Sequence, residues 1–135
     1  MKRVFAFVAV AAALAAPAGT ASGAASQAPS ANVDSIATVT SANTVVFEFD
    51  LYDCPAGNPI TVDWTANEPS RPDSGAVGGG GFGLSNGDAV QHLTIEAGAS
   101  SFLAGERWVG SGTVNCGAIV IPVTGSGQAK SPNGV

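Results

Sequence analysis

The chain has 135 residues, 45% of them apolar, with five Lys or Arg set against ten Asp or Glu and only two cysteines. Binding a phosphate backbone takes several clustered cations, so this scattered handful excludes nucleic acid as a partner, and it argues equally against an anionic membrane surface. The length suffices for one domain.

Met1-Lys2-Arg3 followed by the uncharged run from Val4 to Ala16 has the positive region and short apolar core of a secretory signal peptide. That run is shorter than the roughly 20 residues of a membrane span. Small residues from Ala18 to Ala25 supply a cleavage site, so residues 1–25 are expected to leave as the signal. The mature protein is then about 110 residues long, free and extracellular, with no membrane contact. Three basic residues (Arg71, Arg107 and Lys130) remain against ten acidic ones, a net charge of −7.

Residues 26–32 read as a flexible arm, residues 33–125 as the folded domain and residues 126–135 as a flexible tail. A short edge strand is expected from Val33 to Thr40. The clearest element is Thr44 to Cys54, where Val45, Phe47, Phe49 and Leu51 share one face and Glu48, Asp50 and Tyr52 the other. That is the period-2 pattern of a half-buried strand. After the turn Pro55-Ala56-Gly57-Asn58-Pro59, the residues Ile60, Val62 and Trp64 alternate with Thr61, Asp63 and Thr65 in a second strand.

From Asn67 to Gly87 periodicity disappears, and Pro69, Pro72 and the run Gly78-Gly79-Gly80-Gly81 predict a long mobile loop. Strand pattern returns from Ala89 to Glu96, with Gln91, Leu93 and Ile95 on one side. Phe102 and Leu103 are expected in the core. Glu106 to Asn115 is a glycine-interrupted strand in which Trp108 and Val114 share a face, and Ala118 to Thr124 is a last strand whose Pro122 predicts an edge or a bulge. Strands at intervals of about ten residues with no helical period predict an all-β, immunoglobulin-like antiparallel sandwich of six or seven strands, with a small closed barrel as the alternative.

Two cysteines in an exported chain pair, because the compartment is oxidising, so a Cys54–Cys116 disulfide is expected. In a sandwich of this kind the loops carrying them emerge at one end. The bridge would then clamp two loop tips and hold Tyr52, Asp53, Asn58, Asn115 and Gly117 as a possible binding surface. The bland alternative is a staple without a site.

Gly83-Leu84-Ser85-Asn86-Gly87 spells the G-x-S-x-G of a hydrolase elbow. That chemistry needs a strand-to-helix turn with acid and histidine brought from distant loops, whereas Asp88 and His92 follow within eight residues. Gly78, Gly80 and Gly83 spell G-x-G-x-x-G without the helix that would aim at a pyrophosphate. His92, the only histidine, points away from the core, and no calcium loop pattern appears among Asp50, Asp53, Asp63, Asp73 and Asp88. No catalytic residue, cofactor or metal site is expected. Trp64 and Trp108 fall on the apolar faces of their strands and read as core rather than as an exposed platform for a ligand.

The stretch Phe49-Asp50-Leu51-Tyr52-Asp53-Cys54-Pro55-Ala56-Gly57, with the signal peptide and the acidic Ala/Gly/Ser/Thr/Val-rich domain, resembles the small secreted immunoglobulin-like proteins of actinobacteria. Gly105-Glu106-Arg107-Trp108 with Thr113-Val114-Asn115-Cys116 is similar, more weakly, to a segment of the neocarzinostatin-type chromoprotein apoproteins. That family carries two short-loop disulfides where this chain has one long-loop pair. The resemblance implies the β-sandwich. The expected function is a monomeric, non-catalytic extracellular binding module for an unidentified small molecule or extracellular protein. A structural or surface-associated protein without a small-molecule ligand is the alternative.

Overall fold

The computed structural model describes residues 28–133, so the expected signal peptide lies outside the described residues. Eight strands follow one another: β1 (Ser30–Val33), β2 (Ile36–Ser41), β3 (Thr44–Tyr52), β4 (Pro59–Asn67), β5 (Gly75–Leu84), β6 (Val90–Ser100), β7 (Arg107–Cys116) and β8 (Ile119–Lys130). No helix occurs among the described residues. The expected open sandwich of six or seven strands is corrected, because seven strands close into a barrel. The ring runs β3, β2, β8, β7, β4, β5, β6 and back to β3.

β3 is the strand on which the ring closes. On one side it pairs with β6 along its whole length, from Thr44↔Gly98 to Tyr52↔Val90. On the other it is shared, taking β1 at Phe49 to Tyr52 and β2 at Thr44 to Val46. The single expected first strand is therefore two, broken at Asp34-Ser35, where the Ile36 amide donates to Asp34 Oδ1 at 3.2 Å. Beyond the break β2 also pairs in parallel with β8, Ile36↔Gln128 to Thr38↔Lys130. This pairing carries β8 to Lys130, and β1 begins at Ser30, so ordered strand extends past both expected limits of 33 and 125. Residues 119–127 of β8 pair with β7 alone, which fits the edge expected from Pro122.

The largest departure is β5, which occupies the expected mobile loop. Gly75 to Leu84 pairs with β4 through Thr61 to Ala66 and turns at its start onto β6, Gly75↔Ser100 to Val77↔Gly98. Glycine is required at that seam: a Cβ on Gly78 would stand 2.8 Å from Ala97 Cα. The seam that closes the barrel is thus built from residues that display no side-chain period.

Alternation fills the inside. Val45, Phe47, Phe49 and Leu51 of β3, Ile60, Val62 and Trp64 of β4, Leu93 and Ile95 of β6, and Trp108 and Val114 of β7 are buried. Phe47, Phe49, Trp64 and Trp108 meet edge to face, with ring centroids 5.0 to 6.2 Å apart. These aromatics supply the area that so small a core needs, so both tryptophans are core residues as expected. Phe102 is buried, but Leu103 is 47% exposed, contrary to expectation, because its backbone rather than its side chain turns inward.

Candidate functional site

The Cys54–Cys116 disulfide is present, with the sulfurs 2.06 Å and the Cα atoms 5.9 Å apart. Cys54 follows β3 and Cys116 closes β7, so the bridge ties the 53–58 connection to the β7–β8 turn at one end of the barrel. Both cysteines are buried. A third connection, 85–89, joins them. The Ser85 hydroxyl donates to the Cys54 carbonyl at 2.8 Å and accepts from Gln91 Nε2 at 2.8 Å and from the Gly87 amide at 3.1 Å. Backbone bonds add Ser85 N–H to the Asn58 carbonyl, Gly57 N–H to the Ser85 carbonyl and Asp53 N–H to the Ala89 carbonyl. The serine of the elbow-like motif is therefore a buried cross-link between two loops, with its donor and acceptor sites taken.

Of the five residues expected to form a surface, Asn58 and Gly117 meet here, and Asp53 bonds through its amide to the Ala89 carbonyl of the 85–89 connection. Gly117 adopts φ 61°, donates its amide to the Pro59 carbonyl at 2.8 Å and lies so close to Asn58 that a Cβ would collide with its amide. Asn58 Nδ2 closes its own turn by donating to the Pro55 carbonyl at 3.1 Å. Tyr52 and Asn115 stand apart from this group. Tyr52 sits on β3 between Ser30 and Val90, its hydroxyl 3.5 Å from Asn32 Nδ2, whereas Asn115 faces out from β7 and donates to Thr61 Oγ1 at 2.9 Å.

What the sequence did not reveal is the apolar rim of this end. Leu84 (67% exposed), Val120 (61%), Ile119 and Val90 stand in solvent around the pinned loops. The register explains the grouping, since Leu84 pairs with Pro59 at the start of β4, Val120 with Asn115 and Ile119 with Cys116. No cation accompanies them. Arg107 opens the strand that Cys116 closes, Lys130 ends the strand that Ile119 begins, and Arg71 lies in the connection after β4, so all three basic residues of the described chain sit toward the far end. Asp53 and Asp88 are the charges within the pinned loops.

No family model and no curated protein matches this chain.

Among the described residues, depressions on the barrel wall include two of note. One of about 280 Å³ is lined by Thr65, Ala66, Asn67, Val109, Gly110 and Ser111. The other, of about 200 Å³, is lined by Asp34, Glu48, Phe49, Asp50 and His92, where His92 Nδ1 pairs with Asp50 Oδ1. His92 is solvent-facing, as expected. No group of three or more His, Cys, Asp or Glu able to hold a metal ion occurs among the described residues.

A residue missed in the sequence is Glu68, at the far end of the barrel. Among the described residues it is one of two buried polar or charged residues, the other being Ser85. A lone acid beside Pro69 in an aperiodic stretch gave no signal for burial.

Proposed function

We propose that this is a secreted, non-catalytic recognition module that binds an extracellular protein through its disulfide-pinned end. The observation that carries the reading is the exposed rim of Leu84, Val90, Ile119 and Val120 around loops that are already fixed. Apolar side chains left in solvent at a rigid, nearly charge-poor end are what a protein interface buries at its centre. Loops immobilised by the disulfide and by Ser85 lose little further freedom on association.

The pairing order supports an immunoglobulin-like reading of the closed barrel, with the first strand divided between two partners and taken in parallel by the last. The disulfide supports an oxidising compartment, as the proposed signal peptide requires.

The test is native mass spectrometry of the protein from its own culture medium, beside a Leu84→Ser/Val120→Ser variant. Both positions are exposed, so the variant keeps its stability. A protein partner retained by the wild type and lost by the variant is the expected result. A free monomer in the medium, a bound small molecule, or a partner that the variant also retains would overturn the reading.

A further inference from the structure

The 68–74 connection after β4 folds over the 101–106 connection after β6 through three bonds. The Leu103 amide donates to Glu68 Oε1 at 2.8 Å, Arg71 Nε donates to the Ser101 carbonyl at 2.8 Å, and Ser70 Oγ donates to Glu106 Oε1 at 2.6 Å. Ser74 fixes the first loop from within, accepting from the Glu68 amide at 2.7 Å and donating to the Glu68 carbonyl at 3.0 Å. Glu68 is fully buried at the centre of this contact, and its Oε2 has no hydrogen-bond partner.

An ionised carboxylate there is poorly compensated. Arg71 Nε lies 3.8 Å from Glu68 Oε1, but its proton is already given to Ser101. The other charge facing the site, Glu106, has the same sign. A buried charge with one orphaned oxygen and a like-charged neighbour favours its neutral form.

We propose that Glu68 makes the far end of the barrel an acid-strengthened latch, in which the 68–74 connection closes more firmly on the 101–106 connection as the medium acidifies. Burial, aided by Glu106, raises the Glu68 carboxyl above its ordinary value of 4.5 against the opposing pull of the Leu103 amide and Arg71. The closed state therefore binds the proton more tightly than the open one. The extra closure is complete below the ordinary value and is lost as pH rises through the raised one, by up to about tenfold per pH unit inside that window.

Amide hydrogen exchange of the purified protein reads the latch directly. Corrected for intrinsic exchange, protection at Leu103 rises as the pH is lowered from neutral toward the ordinary carboxyl value of 4.5, while protection at Phe47, in the paired centre of β3, does not follow it. In Glu68→Gln the dependence at Leu103 disappears. In Glu106→Gln, which removes the like charge and leaves Glu68 in place, its midpoint moves to lower pH. Protection at Leu103 that is flat in the wild type, or that rises equally in Glu68→Gln, overturns the latch. Should Glu68→Gln fail to fold, an unmoved midpoint in Glu106→Gln overturns it as well.

Discussion

Replacing Cys54 and Cys116 together by Ala tests how much of this fold rests on one covalent link. The bridge closes a loop with a sequence separation of 62. In the chain-entropy account, freeing a loop of that length adds roughly 4 kcal/mol of disorder to the unfolded state. Against a total stability of about 5–15 kcal/mol the loss is large without being fatal. At about 4 °C per kcal/mol for a domain near 100 residues, Tm falls by roughly 16 °C. Urea denaturation followed by tryptophan fluorescence is the assay, since Trp64 and Trp108 are both buried. An unfolded chain without the link exposes more surface, so the m-value rises with the loss of stability. Reducing the wild type keeps both sulfurs in the core and separates the chain-entropy effect from packing. A loss below about 1 kcal/mol with an unchanged m-value would refute the reasoning, because the unfolded state would then already be as compact without the bridge.

Three other substitutions probe the remaining supports. Ser85→Ala strands the Cys54 carbonyl, the Gln91 amide and the Gly87 N–H, and is expected to lower stability by about 1–3 kcal/mol in the same assay. Gly78→Val presses a side chain against Ala97 at the closing seam, a loss of about 1–3 kcal/mol. Its signature is hydrogen exchange that quickens first at the β5–β6 pairs around Val77 and Gly98. Phe47→Ala, which removes a ring touching both tryptophans, is expected to cost about 3–5 kcal/mol and to collapse the near-ultraviolet circular dichroism.

The strands with one wet face were legible because burial writes itself into alternation. Val45 to Leu51, Ile60 to Trp64, and Leu93 with Ile95 could be assigned to the core from spacing alone, and the two cysteines followed from their number. β5 was not legible, since Gly78 to Gly81 have no side chains to alternate and glycine elsewhere marks turns. What required glycine at Gly78 was the approach of Ala97 on β6, and at Gly79 the approach of the Val62 carbonyl on β4, contacts between distant residues that no local pattern records. Closure of the ring was hidden for the same reason: three residue pairs at Gly75 to Val77 decide between sandwich and barrel. The far half of β8 escaped because Gly125 and Gly127 interrupt its pattern. At the site, the disulfide and the contact of Asn58 with Gly117 followed from chain order. The separation of Tyr52 from Asn115 needed the strand pairing, and the exposed rim needed the register.

The parallel contact between β2 and β8 has a mechanical meaning. The described chain enters just before the lower end of one strand and leaves from the upper end of the other, and the two run in the same direction. Tension applied to the chain ends would first peel β1 from β3 and then draw β2 and β8 past each other along their axes. The bonds from Ile36↔Gln128 to Thr38↔Lys130 would share that load at once rather than opening one by one. A pulled hairpin unzips from its tip, whereas this junction resists as a lap joint.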